Sequence, residues 1–169
     1  MTPWDLGYGI MVKFDHDFVG RAALEKMKDA PQRVKVTLAL DNEDIVRVMS
    51  SMLQTGDKAK FLEFPNSVYA MHPYDAVLKD GQTVGLSTWI GYTVNAGRFL
   101  SLAMVDAEHA KPGTEVTLIW GEPDGGTSKP TVERHVQTEI KAVVAPVPYS
   151  EAARDTYADG WRTKAPQNA

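Results

Sequence analysis

The sequence predicts a mainly β fold, an antiparallel barrel or sandwich with short flanking helices. Three observations carry this. Apolar residues recur with period two in several short segments, most cleanly over residues 33–40. Turn signals follow one another at short intervals: Asp80-Gly81, Lys111-Pro112-Gly113 and Asp124-Gly125-Gly126. Residues 98–105 are apolar on both faces, as in a strand covered on both sides or built into a closed barrel.

Each element has its own signal. In residues 8–14, Tyr8, Ile10, Val12 and Phe14 alternate with Gly9, Met11 and Lys13, which predicts a short strand. Asp17 or Gly20 caps a helix through residues 22–28, with Phe18, Ala22, Leu24 and Met27 inward and Pro31 as its stop. Residues 33–40 place Val34, Val36, Leu38 and Leu40 on one face of a strand. The acidic stretch Asp41-Asn42-Glu43-Asp44 then opens a helix whose apolar side is Ile45, Val48, Met49, Met52 and Leu53, with Gly56 at its end. Residues 58–65 read as an irregular return.

Strands follow in succession. Residues 68–71 and 76–79 are the first two, the second ended by the hairpin pair Asp80-Gly81. Residues 83–92 form a long strand in which Gly85 and Gly91 signal bulges or bends. Residues 98–105, 114–120 and 132–144 complete the set, and Pro146 and Pro148 end it. Ser150 caps a last short helix over 151–157. The polar tail 159–169 contains Trp161, which needs a surface to dock on.

Composition limits function. The net charge of −4, without a Lys/Arg block, argues against nucleic acid. The absence of cysteine excludes disulfides, thiolate catalysis and Cys-ligated metals. No basic n-region precedes an apolar run, and no stretch has the roughly 18–20 apolar residues of a membrane span, so a cytoplasmic protein without membrane contact is expected.

Several segments resemble the glycine-cleavage T-protein (aminomethyltransferase) superfamily. Thr2-Pro3-Trp4-Asp5-Leu6-Gly7-Tyr8-Gly9, then Val12-Lys13 and Asp17-Phe18-Val19-Gly20-Arg21-Ala22-Ala23-Leu24, are similar to the junction that closes the folate-binding body before a barrel domain. Gly81, Val84, Gly85 and Thr88, then Ala103 and Val105, then Lys111-Pro112-Gly113-Thr114-Glu115-Val116 and Pro148-Tyr149 are similar to the barrel itself. The resemblance covers about residues 2–40 and 76–149. It implies a Greek-key or jelly-roll-like β-barrel. Residues 1–30 would end the upstream body, 31–149 would form the barrel with a helical insertion at 41–66, and 150–169 a helix and tail.

Departures from the aminomethyltransferase pattern point to a branch. Trp89-Ile90 stands where Ser-Gly is usual, and Thr93-Val94 where Ser-Pro is usual. These positions, Pro146-Val147-Pro148-Tyr149-Ser150-Glu151 and Gly160-Trp161-Arg162-Thr163 look more like the tetrahydrofolate-dependent aryl O-demethylases of vanillate and syringate. A sulfonium demethylase branch, an aminomethyltransferase fragment partnered by a lipoyl carrier, and a non-catalytic barrel module remain alternatives. The resemblance implies tetrahydrofolate as cofactor, a small methoxy aromatic acid as substrate and upstream folate-binding domains as partners.

Such a reaction needs the folate N5 in line with the methyl carbon and the departing oxygen. It also needs a group to stabilise the phenolate and an arginine for the substrate carboxylate. No constellation here could do this work alone; the resemblance implies that the catalytic residues lie upstream, and no metal site is expected. Trp89, Tyr92, Arg98 and Tyr149 are the candidates to touch the folate or substrate cleft. For Arg98 a rim salt bridge competes with a carboxylate contact, and for Trp89 and Tyr92 an interdomain contact competes with a cofactor wall. His16, His72, His109 and His135 show no metal spacing and read as surface or turn residues. Asp15, Asp17 and Asp75 read as turn or cap residues, and Gly125-Gly126 as a flexible connection. An exposed apolar patch formed partly by residues 1–24 is expected, open to the missing domains or to a homodimer.

Overall fold

The alternating segment 33–40 forms β1, Arg33–Leu40, and this strand closes the structure on itself. The computed structural model describes residues 1–65 and 74–157. Among them β1 is joined by β2 (Asp75–Lys79), β3 (Gln82–Thr93), β4 (Arg98–Asp106), β5 (Glu115–Trp120) and β6 (Thr138–Ala145). They form a closed barrel in the order β1-β4-β3-β2-β5-β6, antiparallel at every junction. β2, β3 and β4 are consecutive neighbours while β1 returns to lie beside β4, which is a Greek-key order. The barrel reading is therefore the correct one of the two left open by periodicity.

Inside the barrel, Val36, Leu38, Val77, Ala103, Leu118, Ile140 and Val144 form a continuous apolar core. The buried hydroxyls of Ser87 and Ser101 bond each other across β3 and β4 at 2.7 Å and so satisfy one another. The β2–β3 hairpin turns at Asp80 and Gly81, with φ of 50° and 77°, the left-handed pair that a two-residue turn requires.

Gly85 answers to close approach. A Cβ there would lie 2.2 Å from the Met104 carbonyl oxygen and against Val105. The expected bend occurs beside it, where Val84 is the extra residue between the pairs Val77–Gly85 and Leu78–Thr83. Gly91 pairs regularly with Leu100, and the second irregularity falls at Thr88.

Helix α2, Asn42–Ser51, starts as the acidic stretch predicts: the Asp41 carboxylate accepts from the amides of Glu43 and Asp44 at 3.0 Å each. Ile45 and Val48 join the core, and the helix packs on β6 and β4, covering one barrel mouth. Leu53, expected on the buried side, is exposed because the helix has ended at Ser51. The return 58–65 is irregular, as expected, but firmly held. Lys58 accepts from Val136, the Lys60 carbonyl from the Trp120 indole at 2.9 Å, and Pro65 from Tyr92.

Three expectations need correction. Residues 8–14 are not a strand: Gly9–Met11 is a 3-10 turn, with Met11 bonded to Tyr8 and Val12 to Gly9. The Trp4 ring lies so close to Gly9 that a Cβ would sit 2.4 Å from it, and among the described residues no strand pairs with this segment. Its alternation therefore has no ladder to join. β6 begins at Thr138, not at 132, because residues 132–137 are diverted around the loop described below. Ser150 caps through its backbone carbonyl, which accepts from Ala153 and Arg154, and Ala152–Thr156 is one wide π-type turn. Helix α1, Arg21–Met27, forms as predicted behind Gly20 at φ 93°, although Ala22 faces solvent. The strand expected at 68–71, His72 and the tail with Trp161 lie outside the described residues.

Gly85→Ala should destabilise the chain by about 2–3 kcal/mol, since the added methyl overpacks a backbone contact. Urea denaturation followed by far-UV circular dichroism measures it.

Candidate functional site: the barrel mouth and the N-terminal face

The four sequence candidates do not converge. Tyr92 packs among aromatic rings, 4.6 Å from Phe64 and 5.6 Å from Phe99 between centroids, and so belongs to the barrel mouth. Trp89 lies on the outer wall, cross-strand from Leu102, and both keep about two-fifths of their surface exposed. Arg98 pairs through its backbone with Thr93, and its side chain lines a groove of about 640 Å³ with Asp41, Asn42 and Glu43. The rim salt bridge weighed for it is absent among the described residues. Trp89, Tyr92 and Arg98 thus share the β3–β4 hairpin. Tyr149 follows β6 elsewhere, and its carbonyl accepts from Arg154 at 2.7 Å.

The densest chemistry was not among those candidates. Lys60 is wholly buried, its ammonium 3.0 Å from Glu122 Oε1 and 4.8 Å above the Trp120 ring. Lys129 reaches the same carboxylate oxygen at 2.6 Å. Burial pulls the Glu122 carboxyl upward, yet the hydrogen bonds from Lys129 and Lys60 outweigh it and hold the group below its ordinary range. Asp75 opens β2 from a buried position and accepts from the Gly121 amide at 3.2 Å. Desolvation pushes it up to about 6 despite the nearby Lys60 charge. It is therefore not a turn or cap residue.

His135 is likewise buried, contrary to the surface reading. Its Nε2 accepts from the Glu122 amide at 2.9 Å, so its Nδ1 carries the hydrogen and donates to the Glu133 carbonyl at 2.8 Å. Three glycines at positive φ surround it. A Cβ at Gly121 or Gly126 would meet the imidazole ring, and one at Gly125 the His135 carbonyl. Gly125-Gly126 is thus a fitted cradle, not a slack connection. Sequence could have flagged three glycines bracketing an acidic residue, but nothing local says that residue 135 fills them. Among the described residues no cluster suits a metal ion.

The N-terminal segment forms a second face. Asp5 is buried against Arg33 at 3.1 Å, which anchors the segment to β1. Beyond that anchor the apolar side chains point outward: Ile10 is 86% exposed, Met11 71%, and Tyr8 and Val19 are also uncovered. A groove of about 740 Å³ runs between Trp4, Tyr8, Lys35 and Pro148, and a smaller one of about 370 Å³ between Tyr8, Met11, Phe18 and Leu24. This is the apolar patch expected of residues 1–24.

Residues 61–122 match the family described as the glycine cleavage T-protein C-terminal barrel domain, and the chain belongs to that superfamily. It is 68% identical over 97% of its length to a syringate O-demethylase of a Sphingobium sp., of which it covers 36%. A sesamin methylene transferase of a Sinomonas sp. is 34% identical over 94% of the chain, covering 35% of that protein. An aminomethyltransferase of Streptomyces coelicolor is 33% identical over 68% of the chain, covering 26% of that protein. The chain spans about a third of the length of the curated relatives it matches most fully. Among the described residues no helix is long and apolar enough to cross a membrane.

Asp75 gives the pH test. A carboxyl raised in the folded state contributes most below its unfolded value of 3.8, and that contribution is lost as pH rises through about 6. At 1.36 kcal/mol per pH unit the loss is about 3 kcal/mol. Asp75→Asn keeps an acceptor for Gly121 without titrating. Its stability relative to the parent should therefore rise by about that amount between pH 4 and pH 7, measured by urea denaturation at both. An unchanged difference would mean that Asp75 is not desolvated.

Proposed function

We propose that this chain is the C-terminal barrel of a tetrahydrofolate-dependent O-demethylase of small methoxybenzoates such as syringate or vanillate. The observation that carries the reading is the identity to the syringate O-demethylase, 68% across nearly the whole chain, twice that to the methylene transferase or the aminomethyltransferase. A cytoplasmic location goes with it.

The barrel's part in that reaction is to form one wall. The half-exposed Trp89 ring suits stacking on an aromatic or pterin face, and the Arg98 guanidinium suits a carboxylate such as folate's glutamate. Tyr92, held among Phe64 and Phe99, would stiffen the hairpin that carries both. Tyr149 would flank the N-terminal groove, next to Val147 and Pro148 on its lining. Folate, when bound, accepts the methyl group at N5. The described residues offer it a stacking ring and a cation but no enclosing set, so the groups that hold it and the reacting ether are assigned to the part of the protein outside this chain.

The N-terminal face is the proposed seam with that part. Its uncovered side chains, Tyr8, Ile10, Met11 and Val19, are those an interdomain contact would desolvate. An aminomethyltransferase would use the same seam, so substrate decides between them. The whole protein should convert vanillate and tetrahydrofolate to protocatechuate and 5-methyltetrahydrofolate, while the 169 residues alone turn over neither vanillate nor syringate. Glycine-cleavage activity without demethylation would reverse the assignment. In the whole protein Ile10→Asp should lower demethylation kcat/KM at least about tenfold, a loss of 1.4 kcal/mol or more. The same change in the isolated barrel should leave its Tm nearly unmoved, because Ile10 touches little of the core. A large Tm drop in the barrel would place Ile10 in its packing instead of the seam.

A further inference from the structure

The loop after β5 holds an arrangement that the proposed activity does not use. Glu122 Oε1 is taken by two ammonium groups, whereas Oε2 is buried and has no hydrogen-bond partner. The nearest candidate is His135 Nε2, 3.2 Å away, but that nitrogen already accepts the Glu122 amide at 2.9 Å. One ring atom therefore faces a donor and an acceptor of the same residue. It can serve only one at a time.

We propose that His135 and Glu122 form a proton-operated latch holding residues 121–137 across the barrel mouth. With the imidazole neutral, Nε2 accepts the Glu122 amide and Oε2 is left unsatisfied. When the ring takes a proton from solvent, Nε2–H donates to Oε2, the amide loses its acceptor, and Nδ1–H stays on the Glu133 carbonyl. No covalent bond is made or broken except the new N–H. The cradle of Gly121, Gly125 and Gly126 against the ring leaves the imidazole little room to turn, so the exchange moves the Glu122 backbone.

The charges around the ring set the balance. From the return, Lys60 opposes a second cation, and from the loop Lys129 does the same. Glu122 favours one, as does Asp75 from β2, whose charge depends on a carboxyl that burial has pushed up to about 6. Glu133, on the ring's own segment, bonds the Phe61 amide through its carboxylate, and Asp124 turns its carboxylate to Gly126, Thr127 and Ser128. The latch has a mechanical outlet. Lys58 accepts from Val136 at 2.7 Å and Phe61 donates to Glu133, so movement of 121–137 reaches the return that seats Phe64 on Tyr92. The latch stands whether or not the demethylase reading does.

Nuclear magnetic resonance of the labelled 169-residue chain tests it from pH 8 to pH 5. At pH 8 the ring nitrogens should report the Nδ1–H tautomer. On acidification the Glu122 amide should move with the same midpoint as the His135 ring. Glu122→Gln should lower that midpoint by about one pH unit or more, the amount a carboxylate at this distance contributes. His135→Gln should abolish the amide's step. An Nε2–H tautomer at pH 8, or an amide that does not move, would overturn the proposal. So would a step that persists in His135→Gln and vanishes in Asp75→Asn. The tautomer and the shared midpoint are read on the parent chain, so they decide the matter even if a variant fails to fold.

Discussion

An ammonium group taken wholly out of water has to be given partners, and the way Lys60 obtains its partners organises one end of this barrel. Glu122 supplies the counter-charge and the Trp120 ring a polarisable face, while the indole nitrogen holds the Lys60 carbonyl. Those three contacts fix where the return runs and where the chain leaves β5. Once Glu122 is drawn inward it brings Lys129 with it. The Gly121 amide beside it is met by the Asp75 carboxyl, which is desolvated in consequence. The positive-φ glycines are what let the backbone wrap so tightly around the imidazole that closes the group.

Closure of the sheet has a second consequence. With β1 bonded to β4 on one side and through Thr37–Leu40 to β6 on the other, the described barrel has no strand left wholly at an edge for a neighbour to extend. Any contact with further domains has to use faces. The outer wall at Trp89 and Leu102, and the N-terminal segment tied down by Asp5 and Arg33, are two apolar surfaces open to it. Burying such surface is non-directional, so shape and the few polar groups at the rim have to set orientation. Arg98, without an ion pair among the described residues, is one such group.

Much of the fold was legible because its cause is local. The alternation of 33–40, the Asp80-Gly81 turn and the acidic cap at Asp41 each specify an element within a few residues, and each is found where it is predicted. Residues 8–14 carry the same alternation and form no strand, since pairing depends on a partner that no local pattern guarantees. β6 starts late because Val136 and His135 answer to Lys58 and Glu122, residues distant in sequence. The site was less legible. A lone histidine reads as a surface or turn residue, a lysine in an irregular return carries no local signal of burial, and only the fold shows that both are enclosed. Three of the four cleft candidates do share a hairpin. Trp89, Tyr92 and Arg98 lie within ten residues of one another, and positions that close on one hairpin stay together.

The relatives bear on what such a barrel is for. One is named for demethylating syringate, one for methylene transfer from sesamin and one for aminomethyl transfer, yet each shares much of this chain. A domain common to different donors is poorly placed to recognise any of them. Among the described residues, what it holds in its interior is an apolar core and an ion cluster whose ammonium groups are already taken by Glu122, and neither is an enclosing set of groups for a small molecule. On the proposed reading its contribution is rigidity. A closed barrel has few ways to deform, so a ring and a guanidinium fixed on its β3–β4 hairpin keep their positions against a neighbouring body. The choice of donor is then left to residues that can vary without disturbing the barrel's closure.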